Sequence, residues 1–295
     1  MAFPPPAVSE PVRLLVPSHC NLGEGPLWDE GRQMLFWTDI DAGELHSWTH
    51  ATGEVRRVRL GDPIGGFTLE ADGALALFRV SDLARLDPES GRVTTTRPFA
   101  DPGMKRFNDV TADFRGRVFA GTIGMDDQSG GLHRIDPDGR SRLLFRGTGV
   151  ANGMGFSPDR GTFYWTCSTT AKIFAFAYDE ATGELSGRRV LHAAAAVPGV
   201  APDGLAVDRE GCLWSARWGA SCVVRLAPDG NTVIETVPVP APFATSCTFG
   251  GPGLDTLFIT TARQGETSAA SAAGGVFAVQ TATSGAPTRR SRIFC

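Results

Sequence analysis

Six glycine-centred turns recur along the chain, at Gly31, Gly73, Gly116, Gly161, Gly211 and Gly253, separated by 42, 43, 45, 50 and 42 residues. Each lies in a stretch rich in Asp, Glu or Pro and leads into a short apolar run, as in WDEGRQMLFWTDI, DFRGRVFAGT and DREGCLWSAR. A second kind of turn follows most of them: SWTHATGEV, RLDPESGRV, RIDPDGRSR, AYDEATGEL and RLAPDGNTV. Short apolar runs bounded by Gly, Asp and Pro are β-strands joined by tight turns. Roughly four strands per unit of about 42–50 residues is the size of one propeller blade. The chain therefore reads as all-β, a six-bladed β-propeller with four antiparallel strands per blade.

No sustained stretch carries apolar residues at helical spacing, which removes the helical solenoids from consideration. Closing the ring also removes the sheet edges that six separate four-stranded sheets would present. Val12–Val16 (VRLLV) is the expected outer strand of the last blade, pairing near Gly275–Gln280. Residues 1–11 are proline-rich and expected to be disordered, and 12–295 to form a single domain. The Ala- and Gly-rich Ser268–Gly275 reads as a surface loop, with a lid over one face as the less favoured alternative.

The net charge is −4, from 32 acidic and 28 basic residues without a basic stripe, so nucleic acid is not an expected partner. Six cysteines show no paired or metal-type spacing and read as reduced core residues. The first residues lack the basic start and apolar run of a signal peptide, and no segment reaches the ~18 apolar residues of a membrane helix. A soluble cytoplasmic protein, monomeric or weakly self-associating, is the expectation.

Functional residues emerge from register. Glu24 lies 7 residues before its turn glycine, Asn108 8, Asn152 9 and Asp203 8. Alone, each reads as a loop residue: a solvated glutamate, or the Asn-Gly and Asp-Gly of a tight turn. Equivalent positions of successive blades converge on the central channel, however, and turns do not explain a shared register. Arg106 flanks Phe107 on the same side as Asn108, whereas Asp109 reads as a loop cap. The second blade opens on Ile64-Gly65-Gly66-Phe67 with no ionisable group, and the sixth offers only the hydroxyls of Thr245 and Ser246.

Two carboxylates and two amides are hard oxygen donors, suited to one divalent cation: Ca2+, Mg2+ or Mn2+, with Zn2+ and Fe2+ less selectively held. Three or four protein ligands leave positions open for water or substrate, as in catalytic metal sites. The histidines fall outside this register, His46 and His133 reading as structural, and no Gly-x-Ser-x-Gly elbow of a serine hydrolase is present.

LGEGP at 22–26, RFNDV at 106–110, ANGMGFSPD at 151–159, PDGLAVDREGCLW at 202–214 and TSCTFGG at 245–251 closely resemble the regucalcin/gluconolactonase family (senescence marker protein/gluconolactonase/luciferin-regenerating enzyme). The resemblance spans essentially the whole chain. It implies a six-bladed propeller and a metal-dependent sugar lactonase. By motif, Glu24, Asn152 and Asp203 are then the metal ligands, Asp203 the catalytic base, and Arg106 and Asn108 the groups that contact substrate. Met125 and Cys167 stand where many family members carry acidic residues, which changes the substrate pocket and leaves the sugar open.

The implied reaction is opening of a pentono- or hexonolactone to its aldonic acid. A carboxylate bonded to a dication is a weak base, so activation of water by the cation, with Asp203 steering it, stands beside Asp203 as base. Three other readings use the same residues. A phosphotriester hydrolase would polarise a phosphoryl oxygen at the same cation, a calcium-binding propeller would bind metal without turnover, and a protein-interaction scaffold would make the register accidental.

Overall fold

The computed structural model describes residues 11–268 and 271–295. Twenty-four strands form six four-stranded antiparallel sheets around a central axis, with no helix among the described residues. From the axis outward, the first blade runs Gly23–Asp29, Met34–Asp39, Glu44–Thr49 and Val55–Arg59. The next four blades repeat this order, with innermost strands Gly66–Leu69, Met104–Ala112, Ala151–Phe156 and Ala201–Val207. The sixth is built from Phe243–Gly250, Thr256–Ala262 and Val276–Gln280, and its outer strand is Arg13–Val16 from the start of the chain. Arg13 pairs with Ala278 and Val16 with Val276, the closure expected from the sequence.

Apolar side chains fill the wedges between adjacent sheets. Trp28 and Phe258 stack between the first and sixth blades, and Phe119, Phe156 and Phe163 pack between the third and fourth. Each such side chain removed from water contributes roughly 1.5–3 kcal/mol. The outermost strands are exposed and polar: Val55–Arg59 carries three arginines and Arg92–Pro98 three threonines and two arginines. Charges of this kind discourage pairing with another sheet edge.

Five cysteines are buried and unpaired as expected, but Cys295 is exposed and ends the C-terminal segment. That segment, which the repeat pattern leaves without a role, crosses the ring at the end of the channel opposite the predicted site. Gly285 bridges to Asp208 and Ser291 to Glu70. Thr288 Oγ1 donates to Trp28 O, Arg289 Nε to Ala112 O, and Arg292 N to Gly116 O. Buried Glu70 accepts from Ser291 Oγ and from the N–H groups of Ile293 and Phe294. The expectation for residues 1–10 lies outside the described residues, as does the middle of the proposed loop at 268–275. The end of that loop, Ala273–Gly275, is buried, with Gly274 O accepting from Cys20 N and Ser18 Oγ.

Candidate active site

The predicted site residues lie on the innermost strands themselves. Ala201-Pro202-Asp203-Gly204 and Asn21–Pro26 were expected as loops, but Asp203 is inside Ala201–Val207 and Glu24 inside Gly23–Asp29. The reason is a register shift in each strand. Irregularities fall between Glu24 and Leu27, Phe107 and Val110, Asn152 and Met154, and Pro202 and Leu205. A bulge leaves its extra residue unpaired and re-aims a side chain. It leaves Asn108, Asp109 and Asp203 out of their ladders, whereas Glu24 and Asn152, paired with Thr38 and Thr166, are the last ladder residues before their irregularities. Among these strands, Gly66–Leu69 of the second blade is regular, and it supplies no ionisable group.

The glycines next to these residues serve contact between blades. A Cβ on Gly204 would stand 2.0 Å from Ser246 Oγ, one on Gly153 2.4 Å from Leu205 N, and one on Gly65 2.0 Å from Phe107 O. Gly153 and Gly204 have no positive φ. The Asn-Gly and Asp-Gly pairs are therefore places where neighbouring innermost strands approach closely.

Glu24, Asn108, Asn152 and Asp203 are all buried, at 4–6% exposure. Asn108 Nδ2 donates to Asn152 Oδ1 at 3.2 Å and to Ala151 O at 2.8 Å. Arg106 Nη1 donates to Asn108 Oδ1 at 2.7 Å and to Phe107 O. Asn152 Nδ2 donates to Ser168 Oγ, which in turn donates to Pro202 O and ties the fourth blade to the fifth. Amide orientation is thus specified from both sides, and Asn152 Oδ1 keeps a second lone pair.

The carboxylates are less well provided for. Asp203 Oδ1 is buried and, among the described residues, has no hydrogen-bond partner. Glu24 accepts from its neighbour Gly25 N–H. Burial raises the Glu24 pKa well above the usual carboxylate range, and the nearby charges of Asp203 and Asp109 raise it further. Burial and Asp109 do the same to Asp203, against the pull of Asn152 and Arg106. Asp109 itself is pushed up by burial to about 7, eased by Arg106. Three carboxylates thus share one cationic side chain. An orphaned carboxylate oxygen, a free amide lone pair and excess negative charge fit a divalent cation held by Glu24, Asn152 and Asp203.

Sequence reasoning missed Asp109 and Ser168. Asp109 follows a residue with turn character, and only its position beneath the other two carboxylates distinguishes it. Met125 is exposed, whereas Cys167 is buried with Sγ 3.1 Å from Thr148 Oγ1. A second acidic group, Asp208, Glu210 and Cys212, lies past the other end of the same innermost strand. Arg225 and the Trp214 indole N–H already saturate Asp208 there, so this cluster lacks the unmet charge of the first.

Residues 22–263 match the family described as the SMP-30/Gluconolactonase/LRE-like region. The chain belongs to this family. It is 39% identical to pentonolactonase XacC of Haloferax volcanii, over 96% of this chain and 98% of that one. It is also 34% identical to 6-deoxy-6-sulfogluconolactonase of Pseudomonas putida, over 87% of this chain and 89% of that one. The crystal structure of regucalcin from Agrobacterium tumefaciens, described as a calcium-binding protein, superposes with a TM-score of 0.88 at 27% identity. That match covers 95% of this chain and 97% of the other. The fold is the six-bladed ring described above, and Glu24, Arg106, Asn108, Asn152 and Asp203, from four of the motifs that carried the resemblance, lie on its innermost strands.

Proposed function

We propose that this protein is a sugar lactonase, a hydrolase of ester bonds that opens a pentono- or hexonolactone to its aldonic acid with one divalent cation. The observation that carries the reading is the buried, partnerless Oδ1 of Asp203 beside Glu24 and Asn152. Near-full-length kinship with two named lactonases supports the substrate class, and similarity to a calcium-binding regucalcin supports the cation.

Glu24, Asn152 Oδ1 and Asp203 would hold the cation. When bound, it supplies Lewis acidity toward the lactone carbonyl and offsets the two carboxylate charges. Arg106 is anchored through Nη1, and among the described residues its other nitrogens make no hydrogen bond, so they are free to donate to substrate oxygens. Asn108 fixes Arg106 and Asn152 together and orients the lactone between them. Asp203 takes a proton from the attacking water as the water oxygen bonds to the carbonyl carbon. The ring C–O bond then breaks, and the proton passes to the departing ring oxygen. One water is consumed and one aldonic acid formed.

The test is acid release from a panel of pentono- and hexonolactones, with chelator-stripped protein given back Ca2+, Mg2+, Mn2+, Zn2+ or Fe2+ singly. Rescue of turnover on a lactone by one of these cations is expected. Cation binding without turnover on any lactone, or hydrolysis of a phosphotriester such as paraoxon in preference to all of them, would overturn the reading.

A further inference from the structure

Below the carboxylate site the channel widens into a cavity of about 930 Å3, within the range of small-molecule sites. Its roof includes Gly25 and Asp109, and its floor is the C-terminal segment with the run Thr288-Arg289-Arg290-Ser291-Arg292. Exposed Ala71, Arg115, Arg160, Arg209, Ala286 and Arg292 are among the lining residues, so the cavity opens at the tail face, away from the site mouth.

Six arginines line it, and their charges are unequally compensated. Arg290 pairs with Asp29, and Arg115 and Arg160 pair with Glu180. Among the described residues, Arg209, Arg289 and Arg292 pair with no carboxylate. Arg289 donates to Ala112 O and lies over the rings of Phe114 and Phe156, 5.2 and 5.0 Å from their centroids. Burial pushes its pKa down to about 10, and the charges of Asp113 and Tyr178 offset this only in part. Arg209 donates to Gly285 O, and Arg292 lies against Gly116. The lining carboxylates do not repair the deficit. Asp113 is taken by Arg117 and Tyr178, Asp208 by Arg225 and Trp214, and Asp109 sits at the opposite end. Aromatic rings offset part of the cost of a buried guanidinium but supply no counter-ion.

We propose that this tail-side chamber is a second ligand site, for a small metabolite carrying a polyvalent phosphoryl anion. Arg289 inside the cavity, with exposed Arg209 and Arg292 at its open tail face, can match phosphoryl oxygens by paired, charge-assisted hydrogen bonds. An anion with more than one negative charge can engage all three, which a monoanion cannot. A sugar bisphosphate fits the volume, whereas a monocarboxylate such as an aldonate leaves most of the charge unmatched.

Titration calorimetry on the full chain tests this, with fructose 1,6-bisphosphate as probe and gluconate as the monoanionic control. Saturable bisphosphate binding with a Kd below about 1 mM is expected, with none for gluconate. Arg289→Gln should weaken binding about tenfold or more. Because Arg289 also anchors the tail, Arg209→Gln and Arg292→Gln provide the same test at positions that bear less of the fold. Asp203→Asn should bind the bisphosphate as the wild type does. Absence of saturable binding, equal affinity in the arginine variants, or loss in Asp203→Asn would overturn the proposal, the last by moving the anion to the cation site.

Discussion

Asp203→Asn separates a ligand from a structural residue because the two roles predict opposite effects on stability. In the metal-free protein Asp203 brings a buried carboxylate oxygen with no partner into the field of Glu24 and Asp109. An unsatisfied buried acceptor costs about 1–3 kcal/mol. Asparagine keeps the shape, removes the charge and adds an N–H donor toward two carboxylates. The metal-free variant should therefore melt higher than the wild type. At about 2 °C per kcal/mol for a domain of this size, the gain is about 2–6 °C. Adding the cation works in the opposite direction and favours the wild type. A ligand at 100 times its Kd stabilises the wild type by about 2.7 kcal/mol, or about 5 °C, and the variant by much less. Lactone turnover should fall at least about a hundredfold, the scale of a lost general base. Thermal melts in chelator and in Ca2+, beside the acid-release assay, give all three numbers. A lower melting temperature for the metal-free variant would refute the reasoning, because it would mean that the protein itself satisfies Asp203.

Removing residues 1–16 deletes the outer strand of the sixth blade and uncovers the apolar strand Val276–Gln280; size-exclusion chromatography should show self-association, and a monomer would contradict the closure. Asp208→Ala strips Arg225 and the Trp214 indole of their shared acceptor, so a loss of about 3–5 kcal/mol is expected with the lactone KM unchanged. His46, His133 and His192 are each held below the usual histidine range, chiefly by burial. Their folded pKa lies below the unfolded value of about 6.5, so their contribution is complete above that pH and is lost as pH falls toward the folded value. The drop in melting temperature from pH 7.5 to 5.5 should shrink when all three are replaced by Gln, and an unchanged drop would contradict the assignment.

The blade count and the site register were legible because both follow from spacing, and a ring converts equal spacing into convergence. The local structure of the site residues was not. Asn152-Gly153 and Asp203-Gly204 have turn chemistry, yet both pairs sit in strands, because their glycines are fixed by the neighbouring blade: Gly153 by Leu205, Gly204 by Ser246. A sequence window contains the residue and its chain neighbours but not the strand that packs against it from about 50 residues away. Asp109 was lost for the same reason. Its carboxyl is unusual because the assembled ring buries it, and nothing within RFNDV encodes that burial. The C-terminal arginines are the extreme case. Nothing within TRRSR announces that Arg289 lies over the rings of Phe114 and Phe156. That placement exists only because the ring leaves an axial hollow that the C-terminal segment covers. A propeller sequence therefore discloses what each blade repeats. What the axis collects from different blades, including both ends of this channel, has to be read from the assembled ring.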